Sequence, residues 1–267
     1  MLELAVILLV PAGIAIPHLL PLHRIAPRVA ATIWLAALAL RALAAIGFVL
    51  FIFLYVPQTG LFYALAHDCW HDVLPLLSTH LGLSGHGLAH AATVLPGLAL
   101  AASVTWFGFG VLRGALALGS YLRQRTLADG PLDSVLVADD RVLLALTRHG
   151  RPRVLVSRAA LSELDPEELQ AGVSHELGHL RRHHRPLLLA GSVFTALGRC
   201  LPGTRAAERE LTFNLERDAD EYALHQAHDP LTLASAICKT ASPVPAGLAP
   251  LAGRGRTTVR LDYLLEG

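Results

Sequence analysis

The segment 175–179, His-Glu-Leu-Gly-His, combines residue types and a spacing that can bind and use a metal ion. Residues four apart share one face of an α-helix, so His175 and His179 can present two imidazoles to one metal. Glu176, one position round the helix, can reach a water on that metal and act as its general base. The segment therefore predicts a zinc-dependent hydrolytic centre.

The helix that must carry this segment has clear start signals. Asp165 stands before Pro166, and Glu168 follows three residues after Asp165, which gives an N-cap, a first-position proline and a capping-box acid. No further proline occurs before Pro186, so we predict a helix over about 166–184. The alternative is two surface histidines on a polar helix, but chance yields this motif only about 0.03 times in such a chain.

A catalytic zinc ion usually takes three protein ligands and a water, so a third ligand is required. His183 lies one helical turn, about 5.4 Å, beyond His179 and cannot easily reach the same metal. His183 and His184 are better assigned to a basic helix end, where cations suit the helix dipole.

The third ligand is predicted on a later helix, within residues 205–227. Glu216 and Asp220 lie four apart there and share one face. We expect Glu216 to complete a His₂Glu site and Asp220 to orient a ligand histidine. The alternative is two exposed carboxylates paired with Arg209 and Arg217.

The first part of the chain has the composition of a membrane domain. Hydrophobic residues make up 53% of the sequence and charged residues only 16%, and residues 1–120 hold four Arg and three acids. Apolar stretches at 1–22, 29–57 and 91–112 predict three transmembrane helices. The net charge of +1 gives no support for nucleic-acid binding, and three scattered cysteines imply no disulfide framework.

The distribution of basic residues predicts an orientation. Arg24, Arg28 and the arginines of 113–125 lie on one side, whereas the 58–90 loop has no Lys or Arg and should face outward. The polar part would then be cytoplasmic, in a multi-pass protein of a bacterial-type plasma membrane. Arg41 is expected to snorkel to the membrane face, with a buried ion pair as the alternative. The loop histidines are interpreted as solvated or interfacial, with a second metal or pH-sensing site as the alternative; they are His67, His71, His80, His86 and His90.

The predicted fold is mainly α with a small antiparallel β-sheet. Short β-like runs at 134–137, 141–147 and 153–157 suggest a meander before the metal-binding helix, and one strand could pair with an extended peptide or be merely structural. The apolar run 187–201 is short for a span and is predicted to be buried or partly membrane-embedded. We expect a membrane domain over 1–120 and a metal-binding domain over 121–267.

The pattern H-E-L-G-H followed by E-x-x-x-D on a later helix resembles the membrane-associated gluzincin (zincin-type) metallopeptidases, over about 120–267. Two branches are similar, the BlaR/MecR-type antirepressor peptidases and the HtpX/CAAX-prenyl-protease group. The resemblance implies that His175, His179 and Glu216 bind one Zn²⁺ per chain, that Glu176 is the catalytic acid/base and that Asp220 supports the site.

The BlaR/MecR branch looks more similar, because HtpX-type proteins place a transmembrane hairpin between the equivalents of His179 and Glu216. The ending Arg256–Leu265 also resembles the closing helix of such domains. Two departures stand out. The chain stops at Gly267 without the penicillin-binding domain of the receptors, and its single lysine, Lys239, has Ala236 three residues before it, so no S-x-x-K site exists. Direct β-lactam sensing is therefore not expected.

The function implied is that of a membrane-bound zinc endopeptidase acting on a protein or peptide, in regulatory or quality-control proteolysis. Glu176 would take a proton from the zinc-activated water and return it to the leaving amine. A further donor is needed for the oxyanion; the candidates are His225, His228 and Tyr222. The alternative is a membrane sensor or scaffold with a structural zinc, which would not need Glu176. The partners expected are the substrate and the lipid bilayer, and the sequence leaves the oligomeric state open.

Overall fold

The fold is mainly helical, with a small mixed sheet beside the helix of the H-E-x-x-H segment. This computed structural model describes residues 2–60, 62, 64, 93–147, 153–226, 229–240 and 257–266, and it describes the side chains of these residues from 10 to 265. Most of the predicted outward loop 58–90, including all five of its histidines, lies outside the described residues.

The described residues of the N-terminal part form three long helices. They are α1 (Leu2–Leu19), α2 (Pro27–Leu54) and α3 (Leu95–Arg125), with single 3₁₀ turns at Leu22–Arg24 and Val56–Gln58. The helices described later in the chain are α4 (Arg158–Glu163), α5 (Pro166–Arg181), α6 (His184–Leu197), α7 (Thr204–His225), α8 (Pro230–Thr240) and α9 (Thr257–Glu266).

Two of these helical segments, 27–58 and 95–125, are long and apolar enough to cross a membrane. Large apolar side chains on α3 face outward, among them Trp106 at 72% and Phe109 at 56% exposure, as expected for a surface that lipid covers. The described apolar part of α1, Val10–Leu19, is shorter than a bilayer crossing requires. The first of the three expected spans therefore stays a prediction.

Helix α2 packs along α7, the helix that carries Glu216. Trp34 and Leu38 of α2 belong to one buried cluster with Leu211 and Leu215 of α7. The predicted apolar helix over 187–201 is α6, which contacts α2, α3 and α7, and Ser103 Oγ of α3 donates a hydrogen bond to its Ala196 carbonyl at 2.8 Å. The helix that carries Glu216 thus packs directly on α2, one of the two candidate membrane helices.

Arg41 does not snorkel to a membrane face, contrary to expectation, because it is fully buried. Its guanidinium donates hydrogen bonds to the carbonyls of Ala37 and Ile14, both at 3.0 Å, and of Pro202 at 3.4 Å. It also lies 2.9 Å from His18 Nε2. Backbone carbonyl dipoles, and not a carboxylate, therefore stabilise the buried charge. The same hydrogen bonds connect α2 to α1 and to the α6–α7 turn.

The sheet is mixed, so the predicted antiparallel meander is wrong. Its strands are β1 (Thr126–Asp129), β2 (Val135–Val137), β3 (Leu144–Thr147) and β4 (Arg153–Ser157), in the order β1-β2-β4-β3. Strand β4 pairs parallel with β2 and antiparallel with β3. The central position of β4 follows from its buried residues, because Val154, Leu155 and Val156 are all at most 3% exposed. Strand β1, which continues directly from α3, was not predicted.

Helix α5 begins with the predicted cap and ends earlier than expected. Asp165 Oδ1 accepts from the Glu168 backbone at 2.8 Å, and Glu168 Oε2 accepts from the Asp165 backbone at 3.0 Å. The Glu168 carboxylate also accepts hydrogen bonds from Ser235 Oγ at 2.5 Å and Lys239 Nζ at 2.6 Å. These contacts connect α8 to the start of α5. The helix stops at Arg181 because His183 takes a left-handed conformation, with φ of 58°, and α6 starts at His184.

We predict that Glu168→Gln destabilises the protein by about 1 kcal/mol at neutral pH. Hydrogen bonds from Lys239 and Ser235 lower the pKa of Glu168 to about 2, so its contribution is present above about pH 4.5 and is lost as the pH falls to about 2. Denaturant unfolding of the full chain should therefore show a difference from the native protein that closes between those pH values. The control is Glu167→Gln, at the exposed neighbouring position. If both variants changed the free energy of unfolding equally at every pH, the prediction would be contradicted.

Candidate metal centre

Three predicted ligand side chains converge between α5 and α7. His175 Nε2 and His179 Nε2 lie 3.2 Å apart, and Glu216 places Oε2 3.6 Å from the first nitrogen and Oε1 3.5 Å from the second. Bond lengths of about 2.0–2.1 Å to a tetrahedral zinc ion separate neighbouring ligand atoms by about 3.3 Å. The spacing of the three groups therefore fits one metal ion, and the buried group could hold such an ion.

The convergence depends on a close crossing of α5 and α7 at Gly178. A Cβ at this position would lie 3.1 Å from the Ala219 carbonyl oxygen and 3.1 Å from Tyr222 Cβ. Glycine thus lets the two helix backbones approach in the middle of the H-E-x-x-H segment. The approach brings Glu216, one turn before Ala219, opposite the two histidines.

The second nitrogen of His175 faces Asp220. Its Nδ1 lies 2.8 Å from Asp220 Oδ1, and Asp220 is only 4% exposed. A proton on Nδ1 leaves Nε2 with its lone pair, which is the form that binds a metal. This contact is the supporting role that the sequence predicts for Asp220.

His179 is supported by a second pair that the sequence did not indicate. Its Nδ1 lies 3.0 Å from His184 Nδ1, and His184 Nε2 lies 2.7 Å from Asp218 Oδ2. Asp218 fixes a proton on His184 Nε2, which leaves His184 Nδ1 to accept from His179 Nδ1. The tautomer of His179 that results again has a free Nε2 toward the candidate metal position. His184 and Asp218 are both 1% exposed, so water does not compete for these contacts.

Arg260 of α9 forms ion pairs with both carboxylates of the site, Glu216 and Asp220. It donates to Asp220 through Nε at 2.9 Å and Nη2 at 2.7 Å, and to Glu216 Oε2 through Nη1 at 2.7 Å. A guanidinium bound to Oε2 leaves Glu216 Oε1, the oxygen nearer His179, for a metal. Two buried acids without this partner would be costly, so Arg260 is needed to keep both ionised.

The electrostatics of the ligands favour one bound proton when no metal is present. Burial alone would lower the pKa of His175, but the carboxylates of Asp220 and Glu216 beside its two ring nitrogens outweigh burial and raise the pKa to about 10. Burial lowers the pKa of His179 to about 3. The pKa of Glu216 is held below its usual range because Arg260 and His179 overcome the effect of burial.

Glu176 is half-buried beside the ligands. Burial raises the pKa of its carboxyl to about 7, with the nearby charge of Glu216 adding to the shift and His175 and Arg185 opposing it. The part of the chain that the structure describes gives its carboxylate no hydrogen-bond donor. A carboxylate with these properties can exchange a proton at neutral pH, as a general base must.

Of the oxyanion candidates, His225 lies away from this group. His225 is exposed in the last turn of α7, where its Nδ1 lies 2.6 Å from the Glu221 carbonyl oxygen, and nine residues of helix, about 13 Å, separate it from Glu216. Tyr222 lies under the Arg182 guanidinium, 5.7 Å from its ring centroid. His228 lies outside the described residues.

Three residues of the site were missed by sequence reasoning. His184 was assigned to a basic helix end, Asp218 was not singled out, and Arg260 was noted only as part of a closing helix. The one available signal was charge, because an acid two residues after Glu216 and a basic residue in a distant apolar helix both need partners if buried. Nothing in the sequence indicates that α5 ends before His184 and lets this ring turn inward.

Comparison of the chain with protein-family models finds no match, and a search of the curated proteins finds none at a significant level. The site is therefore interpreted from its own geometry.

We predict that zinc binding at pH 7 releases about one proton per chain, from His175, because its pKa of about 10 keeps that ring protonated until a metal displaces the proton. The apparent affinity should accordingly rise with pH. Titration calorimetry in buffers of different ionisation enthalpy measures the proton directly. Binding without proton release, or with an affinity that falls as the pH rises, would contradict the assignment of His175 as a ligand.

We predict that His184→Phe lowers the zinc affinity about 10–100-fold, because the phenyl ring offers His179 no acceptor to fix its ring. The matched control is His183→Asn, at an exposed position whose left-handed backbone asparagine tolerates. Competition with a chromogenic chelator measures both variants. Equal affinities for the two variants would show that the contact between His179 and His184 has no influence on the metal.

Proposed function

We propose that the protein is a membrane-bound zinc-dependent endopeptidase. The observation that carries the proposal is the convergence of His175 Nε2, His179 Nε2 and Glu216 at 3.2–3.6 Å, with Glu176 on the adjoining position of α5. Two imidazoles and one carboxylate are the ligand set of many catalytic zinc sites, whereas structural sites are usually closed by a fourth protein ligand. The described residues supply three such ligands within this group.

A zinc ion held there would activate a water molecule and polarise a peptide carbonyl. Glu176 is the proton carrier in this proposal: it accepts a proton from the attacking water and later gives it to the leaving amine. A pKa of about 7 suits both steps, because the carboxyl is then neither too weak a base nor too weak an acid near neutral pH.

A protein or peptide is the proposed substrate, and strand β3 is the part of the fold that supports it. It lies at an edge of the described sheet and contacts α5, the helix of Glu176. An extended peptide can add to such an edge through backbone hydrogen bonds. The carbonyl of Leu146 in β3 accepts from the Arg185 side chain, whose charge also acts on Glu176, so this edge and the proposed base adjoin the same residue.

The proposed location is a cell membrane with the metal centre on the cytoplasmic side. Support comes from the two long apolar helices and from the arginines at the end of α3 and between α1 and α2. Since α2 packs along α7, membrane anchoring and the metal centre share one helix pair. Regulatory or quality-control proteolysis of a membrane or membrane-proximal protein is the role that this arrangement fits.

A second candidate is a sensor or scaffold in which the zinc ion only stabilises the fold. The packing of α7 on α2 favours it, because a change at the membrane would reach Glu216 through one helix. This alternative requires the three ligands but has no use for Glu176. The two functions therefore differ in what they predict for one substitution.

We predict that Glu176→Gln reduces peptide hydrolysis by about 10²–10⁴-fold while one zinc ion per chain remains bound. The amide keeps the size of the side chain but cannot accept the proton. Hydrolysis of quenched-fluorescent peptides and metal content should be measured on the same preparation, with Glu167→Gln as the control for an exposed acid of α5. The inactive variant should also retain substrates on crosslinking in cells. Full hydrolysis or full cellular function of Glu176→Gln would exclude the enzymatic proposal and favour the scaffold.

A further inference from the structure

A groove of about 390 Å³ lies between α3, α6 and α7, apart from the metal centre. Trp106 and Phe107 of α3 give the groove an apolar wall, and its lining also carries Arg199, Arg205 and Arg209. Helix α6 leaves the metal centre at His184 and reaches the groove at residues 192–196, which corresponds to about 12–18 Å of helix. The groove is thus not part of the proposed active site.

The charge of the groove is positive. All three arginines are exposed, and none forms a salt bridge or hydrogen bond with another residue over the ranges that the structure describes. The described lining contains one acid, Glu208. Burial raises the pKa of its carboxyl, and contacts with Ser192 and Thr195 and the charge of Arg205 oppose that shift. Guanidinium groups offer paired donors that match a phosphate, so the groove suits a phosphate-bearing anion.

The apolar wall continues along the exposed face of α3. Leu98 is 58%, Trp106 72% and Phe109 56% exposed, on a helix that is long and apolar enough to cross a membrane. Tryptophan is enriched where hydrocarbon meets the polar headgroups of a bilayer. The groove therefore places a positive cluster beside an apolar helix face, which is the arrangement of charge and apolarity in a phospholipid.

We propose that this groove binds the phosphate headgroup of an anionic phospholipid, with the arginines on the phosphate and the acyl chains along α3. The proposal depends on membrane association and is independent of the peptidase function. Free phosphate could meet the same arginines, but it would make no use of Trp106 and Phe109.

The first test compares lipid binding by the full chain and by the triple variant R199Q/R205Q/R209Q. Native mass spectrometry of the detergent-solubilised protein should show phosphatidylglycerol bound in preference to phosphatidylcholine, with an affinity at least about tenfold weaker in the triple variant. The matched control is R113Q/R123Q/R158Q, which removes three exposed arginines elsewhere, and it should change the affinity less than about twofold. Equal losses in both triple variants would mean that only total charge matters and would overturn the site.

The second test needs no arginine variant, so it holds even if the triple variant does not fold. In nanodiscs, brominated phosphatidylglycerol should quench the fluorescence of Trp106, which is identified as the part of the emission that the Trp106→Phe variant lacks. The quenching should be stronger than that by brominated phosphatidylcholine at equal bromine content. Equal quenching by the two lipids would overturn the headgroup preference. Inorganic phosphate in millimolar excess should not displace the lipid; if it does, the groove is a site for the free ion and the lipid proposal fails. Zinc binding should be unchanged throughout, which separates this outcome from any failure of the catalytic proposal.

Discussion

The close approach of α5 and α7 at Gly178 is the constraint on which the candidate metal centre depends. A side chain there would meet the Ala219 backbone and Tyr222 at 3.1–3.2 Å, so the helices would have to separate. His175 and His179 reach the site from one helix and Glu216 from the other. If the two helices moved apart by a few tenths of an ångström, the ligand atoms would already be too far apart for a single ion. The fold supports this crossing from both sides, with the sheet and α8 against α5 and the candidate membrane helix α2 against α7.

The second requirement is charge balance in a buried space. Glu216, Asp218 and Asp220 all lie on α7 within five residues and are at most 7% exposed. Arg260 forms ion pairs with Glu216 and Asp220, whereas Arg182 and His184 pair with Asp218. Each acid therefore has a cationic or proton-donating partner from another helix, and the same contacts set the tautomers of both ligand histidines. The groups that keep the carboxylates ionised and the groups that orient the imidazoles are the same network.

The sequence predicted those parts of the molecule that local chemistry determines. The start of α5 followed from Asp165, Pro166 and Glu168, and the pairing of Glu216 with the two histidines followed from helical spacing and ligand chemistry. What failed depended on long-range packing. The central position of β4 and its parallel partner could not be derived, because three short apolar runs fit several strand orders equally well. Arg41 and His184 were assigned to exposed positions because a basic residue at a helix end or a membrane face is normally solvated, and only the tertiary contacts reveal that both are enclosed. The expectations for three spans, for membrane orientation and for peptide hydrolysis stay predictions.

The position of Arg260 in the chain has a consequence for biosynthesis. Helices α5 and α7 can emerge from the ribosome and pack while the segment that contains this arginine has still to be translated. During that interval Glu216 and Asp220 face one another without their guanidinium, so repulsion between them opposes a finished site. Both carboxylates therefore gain their guanidinium partner only after translation has passed residue 260.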